Sequence, residues 1–289
     1  MSANNAILAF SATVSQAEFQ AAYNLIANVL QAAGITKVVD AGQVDVATMN
    51  FPGVNNTVAG YEMRQFTDAL QATAPVYIKL EPGRGAAATT MCIYITIGTG
   101  QDGAGNITGT TLYARDQRLL NGGVTTTIAS VVSAGTNRFI WNIPSNVVSI
   151  FSLERTRDQT TLLPDARGIR YVTQYNGTWV FKVQLFTGTS PAAEATPPCF
   201  PSTVQTTAGE AGTGKVGLLP VHTYEIGRIS PPLENIFGIF TTDITPGVPQ
   251  PATFLGNTIT FWPANNTLVG MARSATPAAA TVRVATRYD

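Results

Sequence analysis

Two glycine-rich segments have the spacing of nucleotide-binding loops. Gly98–Gly103 matches GxGxxG and follows an apolar strand-like run, but turn- and strand-forming residues come next instead of the helix that must hold a pyrophosphate. Gly209–Lys215 matches GxxxxGK, yet Val216 stands where a hydroxyl should bind magnesium, and Pro220 breaks the helix that should follow. We interpret the first segment as a β-turn connection and the second as a flexible loop, and we predict no cofactor.

Metal-binding and nucleophilic residues are equally sparse. His222 is the only histidine, which excludes HExxH metalloproteases and His-rich metal sites, and no GxSxG elbow accompanies it, so we predict a structural histidine. Asp102–Asn106 lacks the spaced oxygen ligands of a calcium loop and indicates a tight turn held by its Asp and Asn side chains. Cys92 and Cys199 are too few for a disulfide framework and are interpreted as buried apolar thiols, although their pairing stays open. We therefore predict no metal site and no catalytic residue.

Glycan hydrolysis is an open alternative, because a glycosidase needs only two carboxylates at the right separation and no local motif. The acids of this chain are scattered singly, and the sequence does not show which of them converge: Glu62, Asp68, Glu81, Asp116, Glu225, Glu234 and Asp243.

The densest group of charges is our candidate interface. Its mixed signs indicate an ion-paired hairpin end or a contact between subunits, and they argue against a phosphate-binding patch. A merely solvated turn is the alternative. The members of this charge cluster are Glu154, Arg155, Arg157, Asp158, Asp165, Arg167 and Arg170.

The chain as a whole is poor in charge. Its 289 residues include 17 Lys and Arg and 17 Asp and Glu, so its net charge is zero and only 12% of its residues are charged, about half the usual fraction. Such a surface is typical of a protein packed against copies of itself or neighbours. The neutral balance argues against nucleic-acid binding, and the opening MSANNAILAF does not have the pattern of a signal peptide. With no run of ~20 apolar residues either, we expect synthesis in a cytoplasm and no membrane contact.

Two helices are predicted in the first third of the chain. Ser15–Glu18 has the form of a capping box, apolar residues follow at helical spacing, and Gly34 supplies a stop. A second helix is predicted from about Tyr61 to Ala72 and is ended by Pro75.

Strand patterns dominate after Pro75. The Asn176-Gly177 pair between two alternating segments, 169–175 and 178–186, predicts a hairpin. Pro- and Gly-rich breaks at 190–202, 208–217 and 245–251 separate further short strands. We predict a mainly β protein with an N-terminal α+β domain for anchoring or assembly over 1–134. An all-β sandwich or barrel-like domain is predicted over 135–289. The other predicted strands are 76–80, 92–97, 124–133, 224–229, 236–240, 258–262 and 281–286.

Two stretches, one of them in two parts, resemble virion structural proteins of tailed bacteriophages. Residues 60–85 (GYEMRQFTDALQATAPVYIKLEPGRG) and 92–110 (CIYITIGTGQDGAGNITGT) are similar to a helix–Pro–strand–turn–strand progression in such proteins. Residues 148–175 (VSIFSLERTRDQTTLLPDARGIRYVTQY) add an aromatic-Ser-x-Glu-Arg-Thr-x-Asp core. The resemblance covers about a quarter of the chain and implies a structural role that resides in interfaces. It transfers no catalytic residue.

We therefore expect a non-enzymatic virion component that assembles in the host bacterial cytoplasm and contacts copies of itself and other virion proteins. A neck, tail or baseplate adaptor is favoured. The alternatives are a capsid decoration protein or an external module that binds a receptor or a host surface glycan. Sugars could stack on aromatic side chains, although core packing is the commoner fate of such residues. The candidates are Trp141, Tyr175, Trp179 and Trp262.

Overall fold

The fold is described here from a computed structural model. It describes the backbone of residues 2–9, 13–121, 125–133, 136–142, 150–156, 160–163, 168–175, 178–185, 217–225, 228–240, 250–254, 257–268 and 282–287, and the side chains of 13–115, 117 and 153–155. These residues form the helix α1 (Gln16–Ala32), the 3-10 helix η1 (Ala69–Ala72) and the strands β1 (Ser2–Ala9), β2 (Ile35–Lys37), β3 (Glu62–Phe66), β4 (Tyr77–Arg84), β5 (Thr90–Gln101), β6 (Ile107–Asn121), β7 (Thr125–Ser133), β8 (Thr136–Asn142), β9 (Ile150–Thr156), β10 (Thr160–Leu163), β11 (Gly168–Tyr175), β12 (Thr178–Leu185), β13 (Gly217–Glu225), β14 (Arg228–Phe240), β15 (Gln250–Phe254), β16 (Asn257–Leu268) and β17 (Val282–Arg287).

The strands form four sheets, with the orders β2-β3-β4-β5-β6, β1-β7-β8-β9-β10, β11-β12 and β13-β14-β17-β16-β15. The sheet β2–β6 is antiparallel throughout. The chain divides into two compact units: residues 1–141, 154–160 and 173–179 make the first, and 142–153, 161–172 and 180–289 make the second. The predicted mainly β class is confirmed. The sandwich or barrel arrangement and the domain boundary near residue 134 stay predictions.

The predicted first helix is confirmed. The Ser15 hydroxyl accepts the amide of Glu18 at 3.2 Å, and the Glu18 carboxylate accepts the amide of Ser15 at 2.8 Å, which completes the capping box. After the C-cap Ala33, Gly34 has a φ of +74°, a left-handed conformation that favours glycine. The buried face of α1 consists of Phe19, Ala22, Tyr23, Ile26, Ala27, Val29 and Leu30.

The predicted second helix, from about Tyr61 to Ala72, is wrong. Glu62–Phe66 is β3, a central strand whose backbone bonds to β2 on one side and β4 on the other, and only Ala69–Ala72 coils, as η1. The helical spacing put Met63 and Phe66 on one face, whereas a strand turns them to opposite faces, and both are fully buried there. Because both faces of the segment are covered, tertiary burial overrides its helical spacing.

Most predicted strands are present. The runs at 76–80, 92–97 and 124–133 fall largely in β4, β5 and β7, and the predicted hairpin strands are β11 and β12, which pair. The runs at 236–240, 258–262 and 281–286 fall largely in β14, β16 and β17. The single strand expected at 224–229 is divided, since β13 ends at Glu225 and β14 begins at Arg228. The breaks at 190–202 and 208–216 lie outside the described residues.

One face of the sheet β2–β6 supplies part of the core. Alternate residues of its central strands are buried, among them Ile78, Leu80, Ile93, Ile95 and Ile97. Phe51, from the segment between β2 and β3, lies 4.9 Å from the ring of Phe19 and 4.4 Å from the guanidinium of Arg84. None of the described helices has the length and apolar character needed to cross a membrane.

Candidate interaction surface

The face of the sheet β2–β6 opposite the buried side chains of Ile78 and Leu80 carries a cluster of aromatic and ionic side chains. In β4 the residues alternate, so Ile78 and Leu80 are buried on one side, while Lys79 and Glu81 on the other side keep 20% and 12% of their side-chain exposure. We call this surface the outer sheet face and define it as Tyr61, Lys79, Glu81, Tyr94, Arg115 and Gln117.

Glu81 is the centre of the outer sheet face. Its carboxylate accepts a hydrogen bond from Nε of Arg115 at 2.7 Å, and Nζ of Lys79 lies 3.6 Å from its other oxygen. The guanidinium of Arg115 also stacks on Tyr94, 3.6 Å from the ring centroid. Nε2 of Gln117 donates to the Tyr94 hydroxyl at 2.9 Å. One carboxylate therefore holds two cations in place, and one cation holds an aromatic ring.

These contacts order the surface more than they stabilise the fold. The side chain of Arg115 is 48% exposed, so its pair with Glu81 is screened by water and contributes at most about 1 kcal/mol. A cation–π contact at an exposed site adds a similar amount, about 0.5–1 kcal/mol. Tyrosine and arginine are enriched at the energetic centres of protein interfaces, and side chains already held in position lose less entropy on binding. The outer sheet face has both properties.

The outer sheet face is flanked by the connection between β5 and β6. The Tyr61 hydroxyl lies 3.1 Å from Oδ1 of Asp40 and contacts the carbonyl of Ala41, while Oδ2 of Asp40 accepts the amide of Gly105 at 3.2 Å. Nζ of Lys79 lies 5.2 Å from the Tyr61 ring centroid. Asp40 therefore fastens both Tyr61 and the β5–β6 turn to the segment that follows β2.

The β5–β6 turn confirms one prediction fully and another in part. Of the segment 98–103, which was predicted as a β-turn connection, residues 98–101 are the end of β5 and pair with β6, and only Asp102 and Gly103 lie in the turn. Oδ1 of Asp102 accepts the amides of Ala104 at 2.8 Å and Asn106 at 3.0 Å, and its Oδ2 accepts the Asn106 side-chain amide at 2.7 Å. Side chains of Asp102 and Asn106 hold the turn, as predicted.

Replacing Asn106 with Ala is expected to raise the pKa of Asp102. The hydrogen bond from the Asn106 side chain, followed by those from the backbone amides of Asn106 and Ala104, lowers that pKa below about 3.9, the usual value for aspartate. The stabilisation from this carboxylate is present above the unfolded-state pKa and is lost as pH falls through the lower folded-state pKa. The variant should lose less stability on acidification. NMR titration of the Asp102 carboxyl carbon would measure the pKa shift.

Asn55→Ala is the matched control, because the Asn55 side chain donates to the carbonyl of Ala86 and to no carboxylate there. It should leave the Asp102 titration unchanged. An unchanged titration in Asn106→Ala would contradict the assigned cause.

The predicted charge cluster is only partly described. Glu154 and Arg155 of β9 are both buried, at 6% and 1% exposure. Arg170 falls in β11, where its side chain is not described, and the remaining members lie outside the described residues: Arg157, Asp158, Asp165 and Arg167. The docking role of the cluster stays a prediction.

Arg155 is engaged within its own chain. Its guanidinium donates to Oδ1 of Asp68 at 3.2 Å, to Oε1 of Gln71 at 3.1 Å and to the carbonyl of Ala74 at 2.6 Å. It also lies 4.7 Å from the ring centroid of Phe66. Burial lowers the pKa of Arg155 and the nearby Asp68 counteracts it, but a guanidinium stays protonated. Within the cluster this residue is therefore a structural cation.

Three of the carboxylates that were considered for glycan hydrolysis have described side chains, and each of them is paired with a different cation. Glu62 pairs with Arg64 and lies 3.8 Å from Nζ of Lys37, Asp68 pairs with Arg155, and Glu81 pairs with Arg115. Each of these three carboxylates is therefore engaged by its own basic partner. The side chains of the other acids considered lie outside the described part of the chain: Asp116, Glu225, Glu234 and Asp243.

Sequence reasoning missed the buried Glu62–Arg64 pair, because the segment was assigned to a helix. As residues i and i+2 of β3 they share one face, where Nη1 of Arg64 also donates to the carbonyl of Ile35 at 2.8 Å. Burial raises the pKa of the nearby Tyr23 phenol, and Glu62 adds to that shift. A strand assignment would have placed both charges on one face, but not shown that the face is buried.

The remaining candidate residues add little chemistry. Cys92 is a buried free thiol whose pKa is raised by burial, and His222 lies in β13 opposite Pro232. Among the described residues no three His, Cys, Asp or Glu side chains form a metal-binding group. Cys199 and the segment 209–215 lie outside the described residues, as do the side chains considered for glycan stacking: Trp141, Tyr175, Trp179 and Trp262.

No protein-family model matches the chain, and no curated protein matches it. The outer sheet face and the composition of the chain are thus the features that bear most directly on function.

Proposed function

We propose that the chain is a non-enzymatic structural subunit of a tailed-phage virion that works through protein–protein contacts, and that the outer sheet face is one of its contact surfaces. Two stretches that resemble virion structural proteins, one over 60–85 and 92–110 and the other over 148–175, support the virion role. The first stretch begins with strand β3, where the resembling progression has a helix. The low fraction of charged residues, 12%, supports a protein whose surface is packed against other subunits. The partners are copies of this chain and other virion proteins, and the favoured positions are the neck, tail or baseplate.

The observation that carries the proposal is the Arg115–Tyr94 stack held by Glu81. An arginine on an aromatic ring presents a flat surface that combines apolar area with hydrogen-bond donors, the combination found at interface hot spots. Because Arg115 spans from Glu81 to Tyr94, its rotamer is restricted before any partner binds. Burying such a surface costs less entropy than burying free lysine or glutamate side chains.

Removing this stack is expected to weaken assembly without unfolding the chain. In the double variant Arg115→Gln/Tyr94→Ala, self-association should weaken by about tenfold or more, the usual consequence of truncating a hot spot. Sedimentation velocity of the full-length chain over a range of concentrations would measure this, and circular dichroism would verify the fold. Lys37→Gln is the matched control, since Lys37 is a cation of the same sheet with similar exposure, 42% against 48% for Arg115.

Two outcomes would overturn the proposal. One is a wild-type chain that is monomeric at every concentration and absent from purified particles. The other is equal association of the wild type, the double variant and the Lys37 control. The copy number per purified particle tests the position: multiples of three or six support a neck or tail location, and hundreds of copies indicate capsid decoration instead.

A further inference from the structure

Strand β1 forms one end of the sheet β1-β7-β8-β9-β10. Its eight residues pair one to one with β7, from Ser2 opposite Val132 to Ala9 opposite Thr125, without a register shift. Among the described strands, β7 is the only one bonded to β1. In an antiparallel ladder alternate residues direct their N–H and C=O groups to opposite sides of the strand. Half of the β1 backbone groups therefore face away from β7, along an edge of regular register.

The other described sheet edges carry features that discourage pairing with a second chain, namely charge, proline, irregularity or shortness. β2 and β10 have only three and four residues. Both β6 and β13 contain register irregularities against their neighbours. Every edge strand other than β1, β2 and β10 also contains a proline or a charged residue: Pro220 in β13, Pro251 in β15, Arg115, Asp116 and Arg118 in β6, Arg170 in β11 and Lys182 in β12.

β1 has none of these features. Its sequence, SANNAILA, contains no charged residue and no proline, and the first charged residue of the chain is Glu18. Eight residues exceed the usual strand length of about five or six. A long, regular and uncharged edge is the kind that natural proteins protect unless it is used.

We propose that β1 is an assembly edge that pairs with β1 of a second copy of the chain, antiparallel and about a two-fold axis. A two-fold contact brings the same strand against itself, so every charge on it would be repeated near its own copy. An uncharged strand avoids this repulsion, and the zero net charge of the chain adds no long-range repulsion between copies. On grounds of charge, β1 of a second copy is therefore a suitable partner for this edge.

This inference rests on the proposed assembly function and names one of its partners. It uses a different sheet from the outer sheet face, so the two contacts can be removed separately.

The test uses proline at two neighbouring positions, Asn4→Pro and Asn5→Pro, in the full-length chain. The two amides point to opposite sides of β1, so one proline removes a bond to β7 and the other removes only a donor at the free edge, where proline is tolerated. The edge variant should melt like the wild type and sediment as the smaller species at concentrations where the wild type associates. Asn4→Ala and Asn5→Ala keep both amides and should associate normally.

Hydrogen exchange keeps the test decisive even if neither proline variant folds. Exchange in the wild-type segment 1–9 should slow as protein concentration rises, because edge pairing protects the outward amides. Association without such protection would overturn the inference, as would unchanged association of a folded edge variant. If the Arg115→Gln/Tyr94→Ala variant weakens association while β1 gains no protection, this inference fails and the proposed function stands. If β1 is protected but that variant associates normally, the outer sheet face fails and the β1 contact stands.

Discussion

Replacing Arg155 with Met is expected to lower the free energy of unfolding of the sheet β2–β6 by about 3 kcal/mol. Methionine fills much of the volume, but it leaves the Asp68 carboxylate, the Gln71 side-chain oxygen and the Ala74 carbonyl without their shared donor. Asp68 keeps 24% of its side-chain exposure and can be partly rehydrated. We therefore expect the low end of the range for breaking a buried ion pair, about 3–5 kcal/mol.

Hydrogen exchange of β4 amides would measure this loss at the sheet itself. Arg115→Met is the matched control, because it makes the same chemical change at a half-exposed pair and should cost less than about 1 kcal/mol. Arg155→Lys should recover only part of the stability, since an ammonium group does not reproduce the planar fork that reaches three acceptors. Equal losses in the two methionine variants would show that the Arg155 contacts are not structural.

Replacing Gly105 with Ala is expected to destabilise the β5–β6 turn by about 2–4 kcal/mol, the sum of backbone strain and overpacking. Gly105 has a φ of +85°, which an alanine adopts only with strain. A Cβ at this position would also lie 2.5 Å from Cζ of Tyr61 and under 3 Å from both flanking ring carbons. The ring has little freedom to withdraw, because Asp40 and Ala41 hold its hydroxyl.

Gly103→Ala separates the two contributions. Gly103 has a similar φ of +73°, but a Cβ there meets nothing within 4 Å, so only the strain of about 1 kcal/mol should appear. Thermal unfolding of both variants would give the difference. Adding Tyr61→Ala to each should relieve Gly105→Ala far more than Gly103→Ala. Equal destabilisation by the two glycine substitutions would contradict the steric explanation.

The features that the sequence predicted correctly are those determined by neighbouring residues. The capping box of Ser15 and Glu18 and the Asp102–Asn106 turn each depend on hydrogen bonds spanning three or four positions. The error at 61–72 arose because the apolar residues Met63 and Phe66 have helical spacing, whereas a strand that is covered on both faces buries them on opposite sides. The local spacing of apolar residues alone does not distinguish a helix from a strand that is buried on both faces.

The outer sheet face could not be read from the sequence for a related reason. Arg115 and Glu81 are 34 residues apart, and Gln117 and Tyr94 are 23 apart, so their contacts depend on strand register. Arg155 was noticed because it stands in a dense group of charges. Its burial depends on groups that lie more than 80 positions earlier in the chain, a relation that composition does not reveal.

That separation has a consequence for synthesis of the chain. Asp68, Gln71 and Ala74 precede Arg155 by 87, 84 and 81 residues, so they leave the ribosome well before their donor is made. At about 5–20 residues per second, the interval is roughly 4–17 seconds. During that time the Arg155 guanidinium is absent, although the amide of Val76 can already donate to the Gln71 side-chain oxygen. A fragment ending before residue 155 would keep the corner between β3 and β4 without its arginine donor.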